Sequence, residues 1–164
     1  MTLNIDDKKR IVTEVAAIAA NAKSVVAAEY RGLTVEQLTA LRMGARQNGV
    51  YLRVVRNTLA RRAFADTEFA CLQDALVGPL LLAFSREEPG AAPKLISDFA
   101  KLNERLIIKA GAFNGKLMQP AEIDKLARMP TRDQAISLLM AVMKAPVGKL
   151  ARTLAAVRDQ KQAA

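Results

Sequence analysis

The 164-residue chain has no histidine and no tryptophan, a single cysteine, and seven aromatic side chains, two Tyr and five Phe. Without imidazole there is no histidine acid–base catalysis, no Ser/Cys–His arrangement and no His-ligated metal. One thiol, Cys71, builds neither a thiolate metal site nor an internal disulfide, which fits a reducing compartment. Its apolar neighbours Ala70 and Leu72 predict a buried structural thiol. Long apolar runs are missing too. The longest charge-free stretch, 75–85, covers 11 residues, against the ~20 that a membrane helix needs. The N-terminus carries Asp6 and Asp7 and no apolar core of a signal peptide. These absences predict a soluble, cytosolic protein with no metal, cofactor, small-molecule substrate or membrane.

What is present is positive charge, unevenly spread. The net charge is +9, with 11 basic and 6 acidic side chains over 1–66, 8 of each over 67–130, and 6 against 2 over 131–164. A neutral middle between two basic ends predicts two anionic partners, one for each end. Half the residues are apolar, and the length suits one domain with a core plus an appendage. The boundary is expected at Pro130, dividing 1–130 from 131–164.

The segment 131–161 is the most periodic. Thr131 supplies a capping hydroxyl and Asp133 an acid for the first helical turn. Ile136, Met140, Met143, Val147, Leu150, Leu154 and Val157 then follow at alternating spacings of 4 and 3. That is a 3.5-residue seam of the kind that seeks partner helices. A straight helix of ~30 residues runs about 45 Å, longer than a small domain is wide. Pro146 interrupts the pattern, so two helical segments joined at Ala145–Pro146, with a kink there, are expected.

The rest alternates strands and helices. A helix from Asp6 has Ile11, Val15, Ile18 and Ala19 on one side; 24–30 (SVVAAEY) reads as a strand. Thr34 and Gln37 form a capping box for a helix that buries Val35, Leu38, Leu41 and Ala45, stopped at Gly49. A second strand over 51–56 leads to Asn57, the expected N-cap of the next helix; the apolar run 80–85 is a third, central strand. Pro93 opens a helix with Leu95, Ile96, Phe99 and Leu102 inward, and 105–113 is a fourth strand. Asn114-Gly115 turns into a short return strand at 116–118, and Pro120 starts a short helix. The fold class is therefore α+β: a four-stranded mixed sheet covered by helices, a ferredoxin-like plait with added helices.

Few residues look like chemistry. G-A-F-N-G-K at 111–116 has three residues between its glycines where a phosphate loop has four, and Leu117 in place of the metal-binding hydroxyl. A hairpin explains it better. Glu87 and Glu88, adjacent in a turn, carry no acid–base signal. The first third differs. Lys8 and Lys9, the turn Tyr30-Arg31-Gly32, and the run Arg53, Arg56, Asn57, Thr58, Arg61 and Arg62 are rich in phosphate-suited donors. From 31 to 65 there are seven arginines and one acid, Glu36. A helix start adds free backbone amides. Tyr30 and Tyr51 could stack on unpaired bases, and an open sheet would give RNA a flat surface.

Y-R-G-L-T-V-E-Q-L at 30–38, R-V-V-R-N-T-L-A-R-R-A at 53–63, the G-A-F-N-G-K hairpin and L-A-R-M-P-T-R-D-Q at 126–134 occur in one order and spacing. With them the chain resembles, over essentially its whole length, the family of bacterial large-ribosomal-subunit stalk-base proteins, the tenth large-subunit proteins. Arg56, Met129 and Thr131 depart conservatively from the family's usual lysine, leucine and serine. The resemblance implies a non-catalytic, cytoplasmic ribosomal scaffold. Its N-terminal domain would bind large-subunit ribosomal RNA beside a neighbouring ribosomal protein. Its C-terminal helix would carry dimers of the acidic stalk protein, which recruit translational GTPases. At roughly ten residues per dimer, the two segments around Pro146 imply two dimers. Some family members also repress their own messenger. Two other readings compete with this one: a DNA-binding regulator paired through the C-terminal seam, and a small enzyme, which lacks candidate groups. Like charges at Lys144, Lys149, Arg152 and Arg158 oppose self-pairing.

Overall fold

A computed structural model of the chain describes residues 4–65, 67–86 and 88–163. Helix α1 (Ile5–Asn21) places Asp6 and Asp7 in its first turn and buries Val15, Ile18 and Ala19. Strand β1 (Ser24–Glu29) is followed by α2 (Val35–Gln47), which opens on the expected capping box. The Gln37 N–H donates to Thr34 Oγ1 at 3.3 Å and the Thr34 N–H donates to Gln37 Oε1 at 3.0 Å, so two otherwise orphaned amides are satisfied. Then come β2 (Val50–Val54), α3 (Asn57–Phe64), a 3₁₀ turn (Glu68–Leu72), β3 (Leu80–Ser85), α4 (Ala91–Leu102), β4 (Ile107–Phe113), β5 (Lys116–Met118), α5 (Pro120–Ala127) and α6 (Arg132–Ala163).

The strands form one sheet in the order β2-β3-β1-β4-β5, antiparallel at every pairing. The first four strands have the order of a ferredoxin-like plait. β1–α2–β2 and β3–α4–β4 are two crossovers, each with a strand of the other unit inserted between its own. The mixed sheet of four strands is thereby corrected: parallel strands exist but never touch, and the 116–118 return strand joins the sheet as a fifth. It follows Asn114 (φ 48°) and Gly115 (φ 74°), two left-handed residues in the manner of a tight Asn-Gly hairpin turn.

Alternation along β3 explains the layers. Leu80, Leu82 and Phe84 belong to a core with α1, α3 and the 3₁₀ turn, while Ala83 belongs to a second core with residues of α2, α4 and α5. Phe64 packs edge-on against Phe84 and Phe69, with ring centroids 6.1 and 6.4 Å apart. All six residues of β3 are buried, as its apolar sequence requires of a strand with helices on both faces. Two expected core residues sit at helix ends and face solvent: Val35, the first residue of α2, is 80% exposed, and Leu102, the last of α4, is 82% exposed. α4 starts at Ala91, two residues before Pro93. A first-turn proline is tolerated because its missing N–H would have no intrahelical partner.

The chain divides into two compact units, Met1–Met129 and Pro130–Ala164. In the second unit, Thr131 and Gln134 form a reciprocal capping pair: the Gln134 N–H donates to Thr131 Oγ1 at 3.4 Å and the Thr131 N–H to Gln134 Oε1 at 3.2 Å. α6 then runs as one element through Pro146, in place of the expected two segments joined at Ala145–Pro146. Proline's φ suits a helix, and its cost is confined to the bond that Val142 C=O would have accepted and to local crowding. No described helix is long and apolar enough to cross a membrane.

Candidate nucleic-acid interface and docking helix

The sheet topology gathers part of the predicted basic constellation. β1 and β2 end, and β3 begins, at the same end of the sheet. There a cleft of about 590 Å³ is lined by Tyr30, Arg53, Arg56, Asn57 and Thr58, with Ile11, Val55, Leu59 and Leu80 as apolar lining and Gly78-Pro79 at its rim. α3 starts in the cleft. Arg56 C=O accepts from the N–H groups of Leu59 and Ala60 at 2.9 and 3.0 Å, so the amides of Asn57 and Thr58 come before the first donor of the helix and have no intrahelical acceptor. Asn57 does not cap this helix as expected; Arg56 holds the cap position. The Asn57 side-chain amide instead donates to Gly78 O at 2.8 Å, stapling the loop before β3 to the cleft.

The other candidate residues are distributed differently. Arg61 donates through Nε to Gln73 O at 3.1 Å and through Nη2 to Leu76 O at 3.0 Å. It clamps the loop after the 3₁₀ turn and lies outside the cleft. Lys8, Lys9 and Arg62 line a separate hollow between α1 and α3, with Ile5, Val12, Thr13 and Leu59. Arg31 is exposed beside Gly32, whose φ of +85° lies in the left-handed region. The turn is braced from a distance: Arg105 Nη1 donates to Gly32 O at 2.8 Å. Arg105, 73 residues along the chain, has no local sequence signal that ties it to the turn.

Arg53 is held in a triad. It forms an ion pair with Glu14, its Nη1 donates to the Tyr51 hydroxyl at 3.0 Å, and that hydroxyl donates to Glu14 Oε1 at 2.9 Å. The hydrogen bonds from Arg53 and then Tyr51 hold the Glu14 carboxyl below its ordinary range. The bond to Glu14 raises the Arg53 pKa, and burial pushes the Tyr51 phenol up. Two expectations fail here. The Tyr51 ring is packed 6.1 Å from Phe84 and lies under the Arg86 guanidinium at 5.7 Å, so it is no free stacking platform. Nor does the sheet offer RNA an open flat face, because helices cover both of its sides.

The phosphate-loop reading of 111–116 fails as expected: the glycine turn leads into a strand, where a phosphate loop needs a helix. Among the described residues no group of His, Cys, Asp and Glu is placed to hold a metal ion. Cys71 is half-buried against the first core and burial raises its pKa, the mark of an unreactive thiol. Glu87 lies outside the described residues.

In α6 every seam residue is exposed, from 46% at Ile136 to 72% at Val147. Leu138, Leu139 and Val142 are exposed as well, so the apolar arc is wider before Pro146 than after it. Arg152 folds back along the helix, Nε donating to Gly148 O at 3.1 Å.

Residues 3–101 match the family model described as ribosomal protein L10, and residues 129–164 match the one described as ribosomal protein uL10 C-terminal region. The chain belongs to the ribosomal protein L10 family. It is 61% identical to a large ribosomal subunit protein uL10 of Thioalkalivibrio sulfidiphilus, with 99% of each chain covered. It is 58% identical to that of Methylococcus capsulatus, with both chains fully covered. With the counterpart in Aeromonas salmonicida identity is 60% over all of this chain and 99% of the relative. The family is structural and non-enzymatic, and its members are part of the large subunit of the cytoplasmic ribosome in bacteria.

Proposed function

We propose that this protein is a two-ended scaffold at the base of the large-subunit stalk. The unit up to 129 holds ribosomal RNA, beside a neighbouring ribosomal protein, through the cleft of Tyr30, Arg53, Arg56, Asn57 and Thr58, the Arg31-Gly32 turn and the hollow of Lys8, Lys9 and Arg62. Arg61 serves this surface indirectly, by fixing the loop that closes the cleft. α6 docks dimers of the acidic stalk protein, and these support recruitment of translational GTPases. The observation that carries the reading is the α6 seam: seven apolar residues at 3.5-residue spacing, all exposed, on a basic segment with six cations and two acids. An apolar stripe of that length calls for helical partners, and the charge selects acidic ones.

The seam from Ile136 to Val157 has room for two dimers at roughly ten residues each, one on either side of Pro146. Native mass spectrometry of the protein co-expressed with its acidic stalk partner tests this. One copy with four is expected. One with six keeps the scaffold and overturns the two-dimer count. A homodimer of this chain without the acidic protein overturns the scaffold.

A further inference from the structure

The arginines of the first unit differ in what their guanidiniums already touch. Arg53 is bound to Glu14 and Tyr51, Arg61 to two loop carbonyls, and Arg105 to Gly32. Arg42 and Arg46 form no ion pair among the described residues. They stand four residues apart on α2, which puts them on the same helix face, about 6 Å apart along the axis. That face borders a hollow of about 410 Å³ lined by Arg42, Ala45, Arg46, Val50, Tyr51 and Leu52, with no acidic side chain among them.

The hollow also borders the free edge of the sheet. Among the described residues β2 pairs with β3 alone, so its outer backbone N–H and C=O groups have no strand partner there; Arg53 is its one charged residue, and it carries no lysine, proline or bulge. From Val50 the strand runs to Val54, about 17 Å, and its far end enters the cleft of Arg53, Arg56, Asn57 and Thr58. The basic hollow and the candidate RNA cleft are thus the two ends of one exposed strand edge.

We infer that the β2 edge, with Arg42 and Arg46, is a further segment of the RNA-binding surface. It takes a sugar-phosphate backbone: phosphates meet the two guanidiniums, and ribose hydroxyls, which both donate and accept, meet the free groups of the strand. The inference rests on the proposed RNA-binding role. An acidic extended peptide added to the edge as a strand is the competing occupant. Continuity with the cleft favours RNA.

The test measures binding of the full chain to a transcript of the stalk-base region of large-subunit ribosomal RNA across a salt series. Arg42→Ala/Arg46→Ala should weaken binding roughly ten- to a hundredfold and lower the slope of log affinity against log salt by about 2, one for each lost phosphate contact. Arg42→Lys/Arg46→Lys should restore most of the slope. The melting temperature of both variants should match the parent, since both side chains are exposed. An alanine variant with unchanged affinity and slope overturns the inference while leaving the RNA-binding role intact. A parent chain that fails to bind the transcript overturns the role itself. A fluorescent oligoglutamate peptide that binds the parent and not the alanine variant, with RNA affinity unchanged, assigns the edge to strand addition instead.

Discussion

The unit up to 129 and helix α6 use similar residues in opposite ways. In the first, apolar side chains close two cores on either side of a sheet, and its arginines reach far along the chain, Arg105 to Gly32 and Arg53 to Glu14. In α6 the polar bonds are local, Arg152 to Gly148, Thr153 to Leu150 and Arg158 to Asp159, and the large apolar side chains are exposed. Long-range contacts make the first unit a rigid surface. Local ones leave α6 a helix by capping and composition, with its apolar seam free. On the proposed function, the difference says where binding energy would be stored: in preorganised charge at one end, and in unburied apolar area at the other.

The largest effect that tests this contrast lies in the first core. Phe84 is fully buried between Phe64 and Tyr51, so Phe84→Ala should cost about 3–5 kcal/mol. In calorimetry the melting temperature should fall by roughly 10 °C or more. Below the new transition, the number of acidic dimers bound should not change. A loss of docking at temperatures where the core is still folded would show that the two units are coupled. Next in size is the seam. Leu150→Asp or Leu154→Asp places a carboxylate where an apolar side chain is to be covered. Each should remove one dimer of two in native mass spectra, weaken that site by about a hundredfold or more, and leave calorimetry unchanged. Loss of both dimers from one substitution would mean that the seam is a single site.

Much of this was legible in the sequence because the signals were local. The Thr34–Gln37 capping box, the Thr131 cap, the Asn114-Gly115 hairpin and the apolar β3 each declare themselves within a few residues. Strand pairing did not. Antiparallel neighbours arise because each crossover leaves room for a strand of the other, a relation that no single segment encodes. The site was half legible for the same reason. Tyr30, Arg56 and Thr58 sit in the cleft as their clustering suggested. Arg61 turned inward because carbonyls of Gln73 and Leu76 lie within reach, and Asn57 left its cap for Gly78. Arg105 contributes from 73 residues away. The open sheet face was misread because α1 and α3, both expected as helices, carry no mark of which face they cover.

The smallest effect sharpens the contrast most, because it sets like against like: an ion pair between elements against one within a turn of helix. Glu14 joins α1 to the edge strand through Arg53 and Tyr51, whereas Arg158 and Asp159 are adjacent, with 69% and 61% of their side chains exposed. Glu14 is itself 44% exposed, so solvent screening holds its contribution below about 1 kcal/mol. Its folded pKa lies below the ordinary 4.5. The stability it adds is therefore present above that value and is lost as pH falls through the folded pKa. Glu14→Gln should melt slightly below the parent at pH 7, and the two curves should converge as pH drops below about 4.5. Asp159→Asn should leave the melting curve of the first unit unmoved at either pH. A gap between parent and Glu14→Gln that does not narrow as pH falls below 4.5 would mean that the side chain's packing, and not its charge, ties α1 to the strand. Arg53 would then owe its place in the cleft to Tyr51 alone.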